Sequence, residues 1–409
     1  MLALSAAPMI LRSQASGSGA RSDKITVGCI GLGNHGHGVN LLSFLQEPDC
    51  RVVAVCDVYK DRREISSAAV NQHYAAQGCR MFADFRELIA SDDIDAVVIS
   101  TPDHWHVPMA LRALEAGKKV FCEKPTLTIA EGRELADKVR EKRAIFSTGL
   151  EDRSLIHYHK MAEAVRNGAI GRLQHIDVGL PTAPIIPLEE PAPVPEGLNF
   201  DLWLGPAPHR AYTPNLTRSD VWRQIRAFSG GILTDWGAHL IDTAQVGNFS
   251  ENSGPVAVTA HGEIPPHAMN SVPRTFELNY TYANGVTMTV RSDIPSIRFN
   301  GTEGWVGNRT WMGQLEASDL EIYRRVYDPA TNKLWPRPPS EHRNFLDAIR
   351  GSASPIYSAE ALHRLSTVMH IGAISMELGR PLKWDPTSET FDDPAANQLK
   401  QRTPREEWA

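Results

Sequence analysis

A lysine stands at the end of a predicted parallel strand. Lys124 lies in Glu123-Lys124-Pro125 and directly follows the apolar run Lys119-Val120-Phe121-Cys122. Ligands of open parallel sheets bind outside the carboxyl ends of the strands. We therefore expect the Lys124 ammonium to face a ligand cleft rather than bulk water. Taken alone, Lys124 could equally well be an ordinary surface lysine that precedes a proline in a turn.

A second set of polar residues falls at helical spacing. The segment Gly230-Gly231-Ile232-Leu233-Thr234-Asp235-Trp236-Gly237-Ala238-His239 is followed by Asp242. In a helix, Asp235, His239 and Asp242 lie at i, i+4 and i+7, on one face. A carboxylate that orients an imidazole would explain this polar stripe, and an oriented imidazole can move a proton. The alternative is a solvated helix face with a structural His–Asp pair.

A glycine-rich turn follows the first apolar run. Gly31-Leu32-Gly33-Asn34-His35-Gly36 lies between a predicted strand and a predicted helix. Its three glycines allow a tight turn, a close approach of pyrophosphate to the backbone, and close packing of the helix on the strand. The helix N-terminus then favours the phosphate charge. The pattern predicts a dinucleotide site at this turn.

An acidic residue indicates which dinucleotide binds. Asp57 ends the second predicted strand. Its carboxylate would accept hydrogen bonds from the adenosine ribose hydroxyls and repel a 2′-phosphate. Arg62 and Arg63 come too late in the chain to reverse this preference. The sequence therefore predicts NAD, with NADP disfavoured.

A polar and aromatic cluster follows a later strand. Thr101-Pro102-Asp103-His104-Trp105-His106 begins at the carboxyl edge of the sheet, so its residues can line the nicotinamide half of the cleft. The spacing of His104 and His106 also suggests metal ligands, but no third His or acidic ligand is nearby in sequence. We therefore predict no metal. For His104, a solvated position at a helix N-cap is an alternative.

The first part of the chain alternates β-rich runs with amphipathic segments such as Pro108–Ala116 and Ile129–Glu141. This alternation predicts a parallel sheet with right-handed crossovers, a Rossmann dinucleotide-binding domain in an α/β protein. The β-rich runs are Ile25–Ile30, Val52–Cys56, Ala96–Ser100, Val120–Cys122 and Ile145–Thr148.

The character of the chain changes after Gly149. The many prolines of Pro181–Pro208 predict an ordered loop, and Asn284-Gly285 between alternating runs predicts a hairpin. A C-terminal α+β domain with a largely antiparallel open sheet follows from these patterns. We divide the chain into a leader or linker (1–22), the Rossmann domain (23–150), a substrate-binding and oligomerisation domain (151–380) and a polar surface tail (381–409).

Bulk properties exclude several partners. The 409-residue chain has a formal net charge of −6 and dispersed Lys and Arg residues, so nucleic acid is not an expected partner. No apolar run approaches the ~18 residues of a transmembrane span. No C-x-x-C pair occurs, and Cys29, Cys56 and Cys122 fall in predicted strands, which favours buried thiols.

The N-terminal region looks like the back half of an export signal. Met1–Ala20 runs from a short apolar stretch into a Ser/Gly-rich linker, and small residues lie near a candidate cleavage point. No basic region or twin arginine precedes it. We expect a periplasmic or exported protein, with a disordered cytoplasmic extension as the alternative.

Together and in this order, these motifs resemble the Gfo/Idh/MocA family, the glucose-fructose oxidoreductase and inositol dehydrogenase group. The resemblance covers about Ile25 to Trp408. It is strongest to the exported bacterial branch, in which Pro195–Pro208 and His342–Asp347 recur and twin-arginine leaders are common. Family members usually form dimers or tetramers, so the resemblance implies a homodimer or homotetramer.

The resemblance also implies roles. His239 would be the general base, and Lys124 would hydrogen-bond the same oxygen and stabilise its alkoxide character. A lysine with a lowered pKa could instead take the proton, so the two roles could be exchanged. Asp235 would orient His239 or bind a neighbouring hydroxyl. These three residues form the expected catalytic set.

Further residues are expected around this set. Gly149-Leu150-Glu151-Asp152-Arg153 departs from the Gly-x-Gln-x-Arg stretch of close relatives, and its acidic groups could alter hydroxyl recognition. The residues expected to bind the cofactor are Gly31, Gly33, Asn34, His35, Gly36, Asp57, Thr101, Pro102, His104, His106, Glu123, Lys124 and Pro125. Those expected to bind the substrate are Arg153, Trp222, Arg223, Asp235 and His239.

The implied function is NAD-dependent hydride transfer from a secondary hydroxyl of a sugar, glycoside or cyclitol. One alternative is an NAD-dependent glycosidase that oxidises a ring carbon transiently and eliminates the aglycone. A weaker alternative is a non-catalytic NAD-binding sensor, against which the intact Lys124, Asp235 and His239 argue.

Overall fold

The computed structural model describes residues 23–408, which contain one six-stranded and one nine-stranded sheet. The leader expected at residues 1–22 lies outside the described residues. Within residues 23–408, no helix has the length and apolar character needed to cross a bilayer.

The N-terminal domain is a parallel sheet with strand order β3-β2-β1-β4-β5-β6. The order reverses between β1 and β4, which is where such sheets bind their ligands. The strands are β1 (Ile25–Ile30), β2 (Cys50–Cys56), β3 (Arg80–Phe82), β4 (Ala96–Ile99), β5 (Lys119–Glu123) and β6 (Phe146–Gly149). A π-helical turn (Gly36–Leu41) precedes the helices α1 (Leu42–Gln46), α2 (Lys60–His73), α3 (Phe85–Ile89), α4 (His106–Glu115) and α5 (Ile129–Lys142).

The parallel sheet confirms the predicted fold of this domain. Strands such as β1 and β4 are buried on both faces, which is why they read as continuous apolar runs in the sequence. The short edge strand β3 was not among the predicted runs, because its three residues are partly exposed and give little hydrophobic signal. Helix α5 begins at the N-cap Thr128, whose hydroxyl accepts from the Glu131 N–H at 3.1 Å.

The second domain is built on a sheet ordered β13-β12-β11-β7-β10-β9-β8-β14-β15. Its neighbouring strands are antiparallel except β7 and β10, which confirms the largely antiparallel prediction. The strands are β7 (Leu173–Leu180), β8 (Ala257–Glu263), β9 (Thr275–Thr281), β10 (Thr287–Ser292), β11 (Ser296–Gly301), β12 (Trp305–Asn308), β13 (Glu316–Ala317), β14 (Leu382–Asp385) and β15 (Thr390–Phe391).

The helices that follow the Rossmann domain pack mainly on one face of this sheet, except that Phe345 and Leu346 pack into the Rossmann core. They are α6 (Ile156–Arg166), α7 (Phe200–Leu204), α8 (Ser219–Trp222), α9 (Ile232–Asp235), α10 (Gly237–Gly247), α11 (Glu321–Arg324), α12 (Glu341–Ile349), α13 (Ala359–Leu378) and α14 (Pro394–Gln398). The predicted hairpin at Asn284-Gly285 joins β9 to β10. Cys29, Cys56 and Cys122 are buried free thiols, as predicted.

The prediction of a polar surface tail after Pro381 is wrong for its first part. Strand β14 pairs with β8 and adds an edge to the large sheet. Leu382 and Trp384 point inward and are about 3% exposed, and Phe391 of β15 is also buried. The alternation of apolar and charged residues in this four-residue run was too short to read as a strand.

Two connections hold the domains together around a cleft. Helix α13 contributes Leu362 to the Rossmann core and Val368 to the core of the second domain. The Pro-rich stretch returns to the Rossmann domain, where the Asn199 N–H donates to the Val58 carbonyl at 3.1 Å and the Trp105 indole donates to the Leu202 carbonyl at 3.1 Å. This stretch therefore forms one wall of the cleft.

Candidate active site

A cavity of about 700 Å³ opens between the carboxyl ends of the Rossmann strands and the second domain. Most residues expected at the cofactor and substrate line it. Those that do are Gly31, Gly33, Asn34, His35, Gly36, Asp57, Thr101, Pro102, His106, Glu123, Lys124, Trp222, Arg223, Asp235 and His239.

The glycine-rich turn presents bare backbone to this cleft. Gly31 has a φ of +84°, and a Cβ there would lie 2.6 Å from the Ser100 carbonyl oxygen. A Cβ on Gly36 would collide with the Gly31 carbonyl oxygen. At Gly33 an added Cβ would find nothing closer than the Arg62 guanidinium at 3.6 Å, so this backbone faces open space. The turn can therefore accept a pyrophosphate at close range.

Asp57 is fixed beside this turn. Its two carboxylate oxygens accept from the Leu32 N–H at 2.6 Å and the Tyr59 N–H at 2.9 Å, and Arg62 lies 3.9 Å away. Each oxygen keeps a free lone pair for a ribose hydroxyl. Burial raises the pKa of Asp57, and the Arg62 charge and the two N–H bonds oppose this rise.

Lys124 is held by the second domain. Its Nζ donates to Asp235 Oδ1 at 2.8 Å and to the Asp235 carbonyl at 2.9 Å, and Arg223 Nε lies 3.1 Å from Asp235 Oδ2. Burial alone would lower the pKa of Lys124, but the charge of Asp235 and the hydrogen bond to it together outweigh burial, so the pKa is raised. For Asp235 burial acts upward, and the Lys124 and Arg223 charges hold its pKa well below the usual range.

His239 is oriented by a different carboxylate. Its Nδ1 lies 2.8 Å from Asp152 Oδ2, and the Asp152 side chain is 1% exposed. The expectation that Asp235 orients His239 is wrong, because Lys124 and Arg223 take the Asp235 oxygens. Trp236 also separates α9, which ends at Asp235, from α10, which carries His239.

The protonation of this pair follows from its surroundings. Burial lowers the pKa of His239 to about 4, and the Lys124 charge adds to the effect. Burial and the neighbouring Asp242 charge raise the pKa of Asp152. His239 is therefore a neutral imidazole at neutral pH, able to accept a proton.

Glu123 is anchored at the end of β5. Its Oε1 accepts a hydrogen bond from Asn40 Nδ2 at 2.8 Å and lies 3.0 Å from His35 Nε2. Burial acts upward on its pKa, but the His35 contact and the Asn40 bond lower the pKa to about 2. Asn40 is held in turn by His342 at 2.8 Å. This network fixes the backbone from which Lys124 projects.

Three expected site residues, His104, Pro125 and Arg153, are not among the residues that line the cleft. His104 is 1% exposed, and its Nε2 contacts the Trp203 carbonyl at 3.0 Å, so it is neither a cofactor contact nor a solvated N-cap residue. Arg153 makes a two-pronged ion pair with Asp242 at 2.7 and 2.9 Å and is 6% exposed, so it is a structural residue instead of a substrate contact. Because Asp242 is paired with Arg153, it does not share a polar face with Asp235 and His239 as the helical spacing predicted.

Pro125 and His106 hold the loops of the site. His106 Nδ1 lies 2.8 Å from the Pro125 carbonyl, and Nε2 lies 2.9 Å from the Thr101 carbonyl. Pro125 is buried and is not among the residues that line the cleft. Both ring nitrogens of His106 are thus occupied by the loops that carry Lys124 and Thr101.

Three residues at the site were not predicted as contacts. Glu151 lines the cleft 3.8 Å from His239 Nδ1, and Asp152 lies next to it. The Trp311 ring lies 4.8 Å from the His239 ring and offers an apolar face to a substrate. The unusual acidic pair in the sequence was a signal for the first two. Trp311 lies in a loop between β12 and β13 and carries no local signal.

Glu151, Asp152 and His239 also form a group that could hold a cation. One ligand atom from each lies within 4.8 Å of the others. The His239–Asp152 hydrogen bond already uses two of these atoms. Metal ligands of this kind were not predicted from the sequence, because they come from two distant segments.

The residues present fit a dinucleotide. The bare backbone of the turn suits a pyrophosphate, Asp57 suits a ribose, and the buried Thr101 Oγ1 on the cleft wall has no hydrogen-bond partner. Lys124 and His239 lie at the other end of the same cavity. The cleft thus joins a cofactor half to a half with proton-transfer groups.

Comparison with known proteins agrees with this geometry. Residues 25–150 match the oxidoreductase family's NAD-binding Rossmann fold, and residues 187–409 match the C-terminal alpha/beta domain of the GFO_IDH_MocA oxidoreductases. The chain belongs to the Gfo/Idh/MocA oxidoreductase family. Its N-terminal domain is an NAD-binding Rossmann domain.

Curated relatives of this Gfo/Idh/MocA protein include three sugar-related proteins. An inositol 2-dehydrogenase from Rubrobacter xylanophilus is 36% identical over 157 residues, which are 37% of this chain and 42% of that one. A glycosyl hydrolase family 109 protein from Saccharopolyspora erythraea is 37% identical over 125 residues, 30% and 27% of the two chains. A levoglucosan dehydrogenase from Pseudarthrobacter phenanthrenivorans is 26% identical over 348 residues, 71% and 82%.

The chain therefore spans less than half of the first two relatives. A solved structure, the WlbA dehydrogenase from Bordetella pertussis in complex with NADH and UDP-GlcNAcA, superposes with a TM-score of 0.67 at 16% identity. That likeness covers 88% of this chain and 98% of the other, and it shows the shared fold.

Proposed function

We propose that this protein is an NAD-dependent oxidoreductase that acts on a secondary hydroxyl of a sugar, glycoside or cyclitol. The observation that carries the proposal is the meeting of Lys124, Asp235 and His239 in the same cavity as the glycine-rich turn and Asp57. NAD, when bound, supplies the acceptor for the hydrogen and electron pair that leave carbon. The chain itself must bind the hydroxyl and move its proton.

Lys124 serves as the donor to the reacting oxygen. Its ion pair with Asp235 keeps it an ammonium at neutral pH, since its pKa is raised. An ammonium cannot take a proton, but it can stabilise negative charge that develops on the substrate oxygen. The charge of Lys124 thereby favours the first of the two roles that the sequence left open.

His239 serves as the general base. A neutral His239 whose Nδ1–H donates to Asp152 has its Nε2 lone pair free to accept the hydroxyl proton. Asp152 stabilises the imidazolium that results. The Trp311 ring beside His239 provides an apolar surface for the sugar ring.

A panel of sugars, glycosides and cyclitols with excess NAD tests the proposal. We expect NADH to accumulate with at least one substrate class, and Lys124→Ala and His239→Ala each to lower kcat/KM on the order of 10²-fold or more. Full activity in either variant would refute its assigned role. NAD binding without turnover of any substrate would indicate a sensor.

A glycosidase is the second candidate, since family 109 glycosyl hydrolases are among the relatives. Such an enzyme would return the hydrogen from the same NADH to the sugar, so aglycone would be released without net NADH. The same Lys124 and His239 would serve in both reactions. Product analysis with a chromogenic glycoside distinguishes them, because only the dehydrogenase couples substrate loss to NADH at a one-to-one ratio.

We also propose that the protein is exported and that it forms a homodimer or homotetramer, as the family resemblance implies. The composition of Met1–Ala20 supports export. The partly exposed outer face of the large sheet, seen in the alternating burial of β9, supports association. Cell fractionation of the tagged chain and light scattering of the purified protein test these two points. Recovery only in the cytoplasm, or a monomer mass, would contradict them.

A further inference from the structure

A second cavity of about 300 Å³ lies behind the catalytic segments. One wall includes Leu127, three residues after Lys124, and another includes Leu233, two residues before Asp235. Apolar side chains from β9 and α13, Phe276 and Ile374, complete the interior. This cavity is separate from the catalytic cleft, but it contacts the two segments that carry Lys124 and Asp235 into that cleft.

A cation that makes no ion pair within 4.0 Å among the described residues lies on the cavity wall, which also includes Glu377. Arg402 reaches in from the chain end, and a guanidinium N–H donates to the Arg226 carbonyl. Arg226 itself pairs with Glu377 at 2.6 Å. Among the ion pairs within residues 23–408, none within 4.0 Å involves Arg402. Desolvation, followed by the nearby Arg226 charge, lowers the pKa of Arg402 to about 10, although the charges of Glu131, Glu377 and Asp103 oppose this fall.

The size and opening of the cavity suit a small ligand. Protein interiors are close-packed, and an apolar cavity of only about 150 Å³ can bind benzene. The lining residue Ile264 is 51% exposed, so the cavity opens to solvent. Leu127, Leu233 and Phe276 are buried, so the interior offers apolar surface.

We propose that this cavity is a binding site for a small amphipathic carboxylate, with the carboxylate on Arg402 and the apolar body among Leu127, Leu233 and Phe276. A carboxylate would give Arg402 the contact ion pair that the described residues do not supply within 4.0 Å, and a guanidinium–carboxylate contact is a strong charge-assisted bond. Because the occupant touches both catalytic segments, its binding is coupled to the sugar site. This second part rests on the proposed function.

Calorimetric titration with octanoate tests the site without any sugar turnover. We expect octanoate to bind more tightly than octan-1-ol, and Arg402→Gln to weaken octanoate binding about tenfold or more while leaving octanol binding unchanged. Ala373→Phe, which fills the cavity from α13, should abolish binding of both. Lys400→Gln is the matched control, since Lys400 lies in the same chain end but outside the cavity lining.

Equal affinity for octanoate and octanol, or unchanged octanoate affinity in Arg402→Gln, would overturn the site. Melting curves show whether each variant is folded, and a misfolded Ala373→Phe leaves the decision to Arg402→Gln. The coupling is tested separately: saturating octanoate should change kcat/KM for the sugar about fivefold or more in the wild type and not in Arg402→Gln. Octanoate binding with unchanged kcat/KM would overturn the coupling alone.

Discussion

The charges around single residues decide which group holds a proton. Lys124 keeps its proton because Asp235 lies 2.8 Å away, and His239 loses its proton because it is buried beside that ammonium. These opposite shifts separate a donor from a base within one cleft. The same logic applies wherever two titratable groups have their pKa values pushed apart by their surroundings.

The pH dependence of sugar oxidation follows from these shifts. The active form has a neutral His239, whose pKa is lowered to about 4, and a charged Lys124, whose pKa is raised. We therefore expect log kcat/KM to stay level through the range where an exposed histidine titrates, and to fall as the pH drops through about 4. A fall at high pH should begin only above the ordinary lysine pKa. Initial rates of NADH formation across pH measure this, with melting curves to exclude unfolding.

Substituting the carboxylate beside His239 tests its positioning role. Asp152→Asn keeps the side-chain size but replaces one acceptor oxygen with an amide donor, which can hold His239 in the wrong tautomer, so we expect kcat to fall on the order of 10²-fold with little change in the affinity for NAD. Asp220→Asn is the control, because Asp220 lines the cleft but is exposed and pairs with Arg218. Equal kcat in the two variants would contradict the role of Asp152.

Addition of Zn²⁺ or EDTA to the wild type separates hydrogen bonding from metal binding. If Asp152 acts on His239 by a hydrogen bond, we expect EDTA to leave kcat unchanged. Loss of activity in EDTA and recovery with a divalent cation would instead assign Glu151, Asp152 and His239 as metal ligands.

At the scale of elements, the glycine-rich turn forms the cofactor half of the cleft. The loop after β5 and the helix α10 carry the reacting groups. The turn at Gly31 is tight because β1 and β4 lie side by side, so that Gly31 and Ser100 at their ends are in contact. The Lys124 loop and the end of α9 come from different domains and meet through the contacts of Lys124 with Asp235. Small displacements of either element would separate Lys124 from the reacting oxygen.

Adding a methyl group tests which glycine of this region must lack a side chain. Gly36→Ala would place a Cβ against the Gly31 carbonyl oxygen, whereas Gly38→Ala meets no atom within 4 Å. We expect Gly36→Ala to weaken NADH binding on the order of tenfold or more, since such clashes cost about 1–3 kcal/mol. Fluorescence titration with NADH measures the affinity. Equal affinity of the two variants would show that the turn tolerates the extra methyl group.

At the scale of the whole molecule, a buried ion pair anchors the segment with which the second domain begins. Arg153 follows the last Rossmann strand, pairs with Asp242 of α10 and donates to the Ile356 carbonyl at 2.6 Å, ahead of α13. Its guanidinium also lies 4.0 Å from the centre of the Tyr357 ring. One side chain therefore connects three segments near the catalytic cleft.

Removing this arginine should destabilise the protein more than removing an exposed one. Arg153→Met leaves Asp242 buried without its partner, so we expect a loss of about 3–5 kcal/mol in the free energy of unfolding. Arg218→Met breaks an exposed pair with Asp220 and should cost less than about 1 kcal/mol. Denaturant unfolding curves compare the two variants. A similar loss in both would show that the buried pair contributes no more than a surface one.

The fold and the cofactor half of the site could be read from the sequence because their signals are local. The glycine spacing, the apolar strands and Asp57 at a strand end each depend on residues close together in the chain. Lys124 was expected at the cleft for the same reason, since strand ends of a parallel sheet share one edge. The short strands β3 and β14 were missed, because three or four residues carry too little pattern.

Only the tertiary structure decided which charges pair. Asp235 and His239 lie four residues apart, yet Asp235 binds Lys124, 111 residues away, and His239 binds Asp152, 87 residues away. Arg153 and His104 carried site-like chemistry in the sequence but were buried by contacts with distant residues. Sequence spacing therefore determined which residues reach the cleft edge, and long-range packing determined what each of them does there.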